Sequence, residues 1–339
     1  MIFDFIKISC RAVEECAKMP GVKRDFRETA AGLPGVYPID LSEEIERIDS
    51  GTYGPFDEQG LPLVDYEQWY RKNGLPTKGK QFPIAYTPVT IAQFGLGSHQ
   101  HYTATKEPED KRRFLASAAW LIGNLKEVPG KFWVWEHHFP MPVYRLTPPW
   151  PSAMAQGEGM SLLLRAYEET KQTEFLTSAH RAFQAFLFPL NQGGVTYFDE
   201  DGRVWFEEYP SDPPSHVLNG MIFALIGIYE FWSVTADPSA CRLFESGILT
   251  LQKRLNDFDA GYGSRYDLLT KRVVGEKYHR IHIAQMRLLF DWTGEELFEK
   301  MANRWEAVWN NPIARVKRAV LPRLTAYWML LQVKRMLGI

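Results

Sequence analysis

Residues 152–188 read SAMAQGEGMSLLLRAYEETKQTEFLTSAHRAFQAFLF, and their reading sets the fold class. Two helices are predicted, Ser152–Thr170 and Glu174–Phe188; Pro189 stops the second, and Asn191-Gln192-Gly193-Gly194 then turns the chain. The same punctuation recurs on both sides. Upstream, Val89, Ile91, Ala92, Phe94 and Leu96 make an apolar face that Gly95 and Gly97 are expected to end. Lys111–Leu125 is amphipathic through Phe114, Leu115, Ala118, Leu121, Ile122 and Leu125, and Pro129-Gly130 follows. Downstream, Thr196–Phe206 with Asp201-Gly202 at its middle reads as a hairpin. Helices are expected at Ser215–Trp232, Ala240–Leu255, His279–Trp292, Glu295–Asn310 and Ala319–Met336. Paired helices between Gly/Pro loops imply a mainly α fold, an (α/α) toroid or incomplete barrel of helical hairpins around a cleft. No self-similarity at roughly 33–47 residues is present, which weakens the competing α-solenoid.

The N-terminal part differs. Residues 1–18 suit a short helix, but from Pro20 to Lys80 glycine and proline recur and no helical period lasts. This predicts an extended arm with a hairpin at Phe56–Leu63, turned by Asp57-Glu58-Gln59-Gly60. An arm of that length has no core of its own, so it lies on the body or on a partner subunit. The domain plan is thus an arm over 1–100 and a helical toroid domain over 101–339.

A net charge of −2 argues against coating nucleic acid, which needs a basic surface to displace counterions. The three cysteines, Cys10, Cys16 and Cys241, cannot all pair within the chain and lack metal spacing, which favours a reducing, cytoplasmic setting. Asp4 and Lys7 interrupt the first apolar run, so no signal peptide is expected, and no uncharged run has bilayer-spanning length. Aromatic residues are 14% of the chain, with eleven Trp; that suits a carbohydrate cleft and equally a large core.

Three tyrosines stand in charged settings: Glu207-Glu208-Tyr209-Pro210, Ser264-Arg265-Tyr266-Asp267 and Lys277-Tyr278-His279. The last two frame a basic segment with Arg265, Lys271, Arg272, Lys277 and Arg280. Tyrosines beside cations, with carboxylates near, suit proton chemistry on an anionic substrate. Plainer readings exist for each: a solvated acidic loop, a helix cap with a β-turn, a helix start. Glu207 and Glu208 are adjacent on an extended segment, so their side chains face opposite ways. His279 and His282 lie three apart with no carboxylate or cysteine at ligand spacing, so no metal is expected, and His137-His138 reads as a loop pair. No nucleotide or flavin glycine pattern follows a strand, and no nucleophile motif is present.

Trp150-Pro151-Ser152-Ala153-Met154-Ala155-Gln156-Gly157, Glu207-Glu208-Tyr209-Pro210 and Leu218-Asn219-Gly220 resemble the D-glucuronyl C5-epimerases, which convert glucuronic to iduronic acid in heparan-type polymers. Tyr266-Asp267-Leu268, Tyr278-His279 with Ile283 and Gln285, and Pro88-Val89-Thr90-Ile91-Ala92-Gln93-Phe94-Gly95-Leu96 fit the same order, over roughly residues 82 to 310. The family's arginine three residues after the middle tyrosine is Leu269 here, and the tyrosine after the tryptophan is Pro151. The animal enzymes' middle β-domain is reduced to the stretch from Gly97 to Lys111, so the chain resembles a compact form.

The resemblance implies Tyr209, Tyr266 and Tyr278 as catalytic tyrosines with Glu208 beside them. It implies Trp150, Gln156, Asn219, Tyr86, Arg265, Lys277, His279 and Arg280 as substrate contacts. It implies no cofactor, a glucuronate-containing oligo- or polysaccharide as partner, and a homodimer. A polysaccharide lyase, which begins with the same C-5 proton abstraction, and a non-catalytic glycan-binding toroid are the competing readings.

Overall fold

A computed structural model describes residues 33, 35–72 and 82–320. The expected helix at 1–18 lies outside these residues, as does most of Ala319–Met336. The fold is mainly α, with four two-stranded antiparallel pairs among the described residues. Two compact units divide at Thr250 and Leu251.

In the first unit, α1 (Ser42–Asp49), β1 (Val64–Asp65), α2 (Tyr66–Lys72) and β2 (Ile84–Ala85) precede the long helices. The helices α1 and α2 interrupt the stretch expected to be extended. Glu43 and Glu44 sit in the first turn of α1 and Arg47 in its last, both favourable to the helix dipole. The hairpin turn forms, with Phe56 bridging Pro62 and the Asp57 carboxylate accepting the Leu61 N–H at 2.7 Å.

The helices α3 (Pro88–Thr105) and α4 (Pro108–Asn124) form one packed pair, and α5 (Ala153–Thr170) and α6 (Thr173–Phe183) another. Gly95 and Gly97 do not end α3 as expected. They are contact points: a Cβ on Gly95 would collide with Leu162 and Ser117, and Ile45 of α1 fills the space over Gly97. Ser152 caps α5, its hydroxyl accepting the Ala155 N–H at 3.4 Å.

Helix α5 is buried almost throughout and packs against α3, α4, α6 and α7 (Leu218–Thr235). At Gly157 and Gly227 the backbones of α5 and α7 meet directly; a Cβ on Gly157 would lie 2.6 Å from the Ala224 Cα. Only glycine permits that approach. Arg165 of α5 and Glu230 of α7 form a bidentate pair of two 2.8 Å bonds, essentially out of solvent. Among the described residues α7 alone is long and apolar enough to cross a membrane, but most of it is buried inside the protein.

The short strands β3 (Lys126–Val128) and β4 (Phe132–Val134) pair, as do β5 (Glu136–His137) and β6 (Trp150–Pro151). The strands β7 (Thr196–Phe198) and β8 (Val204–Phe206) make the hairpin that Asp201-Gly202 announced. The chain leaves this unit in the last turn of α8 (Pro238–Arg254).

The second unit carries a looped segment and a helical pair, α9 (Glu276–Thr293) and α10 (Glu296–Asn310), with residues 312–320 again helical. Gly294, at φ 69°, ends α9 and turns the chain into α10. Asp259 bridges Ser264 and Arg265 bridges Val273, so the segment before α9 is a folded ladder.

Candidate functional site

The first unit places Glu207, Glu208 and Tyr209 directly after β8. The Glu207 backbone is held at both ends: its N–H donates to Val195 O and its carbonyl accepts the Ala153 N–H of α5, each at 2.9 Å. Its carboxylate is fully buried. Oε2 accepts the Ser215 hydroxyl at 2.6 Å and the His216 N–H at 3.0 Å, and Oε1 lies 2.6 Å from His216 Nδ1. Glu207 therefore closes the loop 208–215 like a clasp, a role that its sequence setting did not reveal. His216 sits at φ 50°, a conformation rare for its residue type, and its bonds to Glu207 hold it there.

Glu208 faces the other way, as alternation requires. It is 7% exposed and lies across Gly220 in the first turn of α7, where a Cβ would come within 2.5 Å of its own Cβ. The positive end of the α7 dipole favours a carboxylate there. Asn219, also buried, belongs to the same turn.

Tyr209 is half-buried, with its ring stacked on Tyr144 at 4.3 Å and tilted against Trp150 at 5.6 Å. Trp150 lies flat on His137 at 4.2 Å and 8°, and its indole N–H donates to Phe139 O at 2.8 Å. Burial pushes the His137 imidazole down to about 3, so it is neutral at ordinary pH. His137, read as a loop residue, is thus part of the platform under Trp150. The signal was the pairing of β5 with β6, which adjacent-residue inspection does not show.

Two further expected substrate contacts in this unit are committed elsewhere. The Gln156 amide is fully buried: Oε1 accepts the Trp135 N–H at 2.9 Å, and Nε2 donates to Ala182 O at 2.9 Å and Trp133 O at 3.2 Å. Tyr86 donates to Asp57 Oδ2 at 2.6 Å, and that bond, with burial behind it, pushes the phenol up to about 12. One group was missed altogether. Glu158 is fully buried on α5, its Oε1 accepting Gln93 Nε2 at 3.0 Å. Burial first, then the negative charges of Glu208 and Glu44, raise its carboxyl well above the usual range, so it is neutral.

The second unit holds the other tyrosines. Tyr266 is buried, its N–H donating to Arg272 O at 2.8 Å, and the Arg272 guanidinium lies 5.1 Å from its ring. Tyr278, in the first turn of α9, is 37% exposed and meets Tyr266 edge to face at 5.2 Å and 83°. Lys277 Nζ stands 5.9 Å from the Tyr278 ring, and Arg280 is exposed one position beyond His279.

Arg265 directs Nη1 at the carbonyls of Asp257 and Asp259, 2.7 and 2.8 Å away, bracing its own loop. His279 is fully buried with both ring nitrogens engaged, by Ser264 and by Trp305 O. Among the described residues no group of three or more His, Cys, Asp or Glu is placed to hold a metal ion.

Chemically, the first unit offers a carboxyl group at the start of α7, and the second offers two tyrosine rings with cations beside them. A family model described as the D-glucuronyl C5-epimerase C-terminus matches residues 129–307. An uncharacterised protein of Methanocaldococcus jannaschii is 32% identical over 243 residues, covering 67% of this chain and 79% of that one. A D-glucuronyl C5-epimerase of Caenorhabditis elegans is 30% identical over 226 residues, 61% of this chain. The match spans only 36% of the nematode protein's length.

Proposed function

This chain belongs to the D-glucuronyl C5-epimerase C-terminus family, and from that membership we propose that it inverts C-5 of D-glucuronate residues in a glycan, giving L-iduronate. The observation that carries the reading is coverage: the family match contains Tyr209, Tyr266, Tyr278 and Glu208 together. It is supported by the shielded pocketing of Glu208 against α7 and by the cations around Tyr266 and Tyr278.

Inversion needs a proton taken from one ring face and one returned to the other. A phenol serves both purposes, as phenolate base and as phenol acid. At an ordinary phenol pKa the phenolate costs about 4 kcal/mol at pH 7, and nearby cations lower that cost. In this reading the phenols of Tyr209 and Tyr278 are the two proton-transfer groups and Tyr266 is the hydrogen-bonding partner or relay. The cations Lys277 and Arg280 meet the negative charge that develops beside the substrate carboxylate, and Glu208 contributes to that role only as the protonated acid, a hydrogen-bond donor. Gln156, Arg265 and His279, committed to the protein's own backbone and side chains, shape the site rather than touch the sugar. The same reading carries a reducing, cytoplasmic setting from the cysteines and a homodimer from the family resemblance.

The test is incubation of the protein with heparosan and other glucuronate glycans in deuterated water, followed by NMR. Exchange at C-5 with formation of iduronate, abolished in Tyr278→Phe, is the expected result. Absorbance from an unsaturated uronate would assign the chain to lyase chemistry instead, and binding without exchange would make it a glycan-binding protein.

A further inference from the structure

Within the second unit, the Ser264 hydroxyl lies 2.8 Å from Nδ1 of His279 and 2.8 Å from Nδ1 of His282, and all three residues are fully buried. The proton positions follow from what each partner can do. Nε2 of His279 is 3.0 Å from Trp305 O, and a carbonyl only accepts, so that nitrogen carries hydrogen. Burial lowers the affinity of both imidazoles for a second proton, so His279 Nδ1 is a bare lone pair. It receives the Ser264 hydroxyl proton, with the Ser264 N–H pointing at the same atom from 3.3 Å. The hydroxyl has one hydrogen, now spent. Toward His282 it accepts, so His282 carries its hydrogen on Nδ1.

We propose that Ser264 is a positioning residue for the tyrosine pair: by donating to His279 and accepting from His282, it ties the segment bearing Tyr266 to the first turns of α9 bearing Tyr278. Tyr266 lies two residues beyond Ser264 on a segment held by two rungs, Val274 N–H to Ser264 O at 3.0 Å and Tyr266 N–H to Arg272 O at 2.8 Å. Tyr278 directly precedes His279. The serine bridge therefore sets the separation of two short stretches of chain whose rings meet edge to face. Stacking of His279 on Trp309 at 4.5 Å fixes the plane in which its Nδ1 points. The catalytic consequence rests on the epimerase reading, in which a shift of about 1 Å in a reacting group costs about a hundredfold in rate.

The experiment uses the full chain, histidine-labelled with nitrogen-15, as wild type, Ser264→Ala and Ser264→Thr. In the wild type, hydrogen is expected on Nε2 of His279 and Nδ1 of His282, with cross-peaks between the Tyr266 and Tyr278 rings. Ser264→Ala should lose the fixed tautomers and weaken the ring cross-peaks, and Ser264→Thr, which keeps a hydroxyl, should restore both. In the C-5 exchange assay, kcat should fall about a hundredfold in Ser264→Ala at unchanged KM and recover in Ser264→Thr.

Wild-type hydrogen on the opposite nitrogens overturns the proposal, and so do unchanged tautomers, ring contacts or kcat in Ser264→Ala. If wild type exchanges no glucuronate glycan, the epimerase reading fails by itself, and the NMR measurements still decide the serine bridge.

Discussion

The side chain of Glu208 lies across Gly220 so closely that the glycine's missing Cβ would stand 2.5 Å from the glutamate's own. The two residues are neighbours in space and twelve apart in sequence, and they fit only while position 220 has no side chain. We expect Gly220→Ala to displace Glu208. Alanine is the better helix former, by roughly 1 kcal/mol, so any loss of function cannot be blamed on the helix alone. C-5 exchange should drop at least tenfold while helicity by circular dichroism is kept; unaltered exchange would show that the Glu208 placement is not needed.

Gln156 distinguishes a scaffold amide from a substrate ligand. It satisfies three backbone groups on two segments, at Trp133 and Trp135 along β4 and its exit and at Ala182 of α6. Gln156→Leu leaves them unpaired in a dry interior, at a cost of about 1–3 kcal/mol for each group that finds no other partner. Denaturant unfolding should show a loss of several kcal/mol, with KM for C-5 exchange by the remaining folded protein unchanged. A raised KM with unchanged stability would restore the substrate contact.

The Arg165–Glu230 pair tests how ionic groups serve this core. Breaking it from one side, by Arg165→Met or Glu230→Gln, strands a partner and should cost about 3–5 kcal/mol. Replacing both by methionine should cost much less, since no orphan charge remains. A double-mutant cycle by chemical denaturation measures the coupling; additive losses would mean the pair is not coupled.

Two buried groups give opposite pH signatures. The Glu158 carboxyl titrates higher folded than unfolded, so above its ordinary value of 4.5 the unfolded chain has released a proton that the folded chain keeps. Its contribution therefore weakens stability as pH rises above 4.5. Glu158→Gln should remove that decline and stabilise the protein at neutral pH. His282 runs the other way. Its folded value of about 3 lies below the ordinary 6.5, so between those values only the unfolded chain binds the proton, and stability falls as pH is lowered from 6.5 toward 3. Urea unfolding across pH checks both: the two slopes oppose each other between 4.5 and 6.5, so Glu158→Gln should expose the His282 fall in that window, and identical profiles for wild type and Glu158→Gln would contradict the Glu158 assignment.

Helix positions were legible because apolar period and Gly/Pro punctuation act locally: the pair after Ser152, the hairpin around Gly202 and the helix after Gly275 stand close to where the sequence put them. The errors share one cause. Gly95 and Gly97 punctuate the sequence as terminators do, yet their lack of a side chain serves contacts with Leu162 and Ile45, residues far along the chain in either direction. Glu207 looked like a solvated acid because its partners, Ser215 and His216, lie across a turn whose shape only the fold defines. The roles of Gln156 and Arg265 were hidden for the same reason: a side chain bonded to distant carbonyls looks identical, on paper, to one awaiting a ligand.

The alternation after β8 has a consequence for how this loop can change. With Glu207 turned inward to Ser215 and His216, and Glu208 turned toward α7, two identical acids are distinguished by parity alone. A single inserted or deleted residue between Val204 and Glu207 would reverse the parity of both, turning the first acid away from Ser215 and His216 and the second away from α7. Length in those few positions, more than composition, is what descendants of this chain must keep.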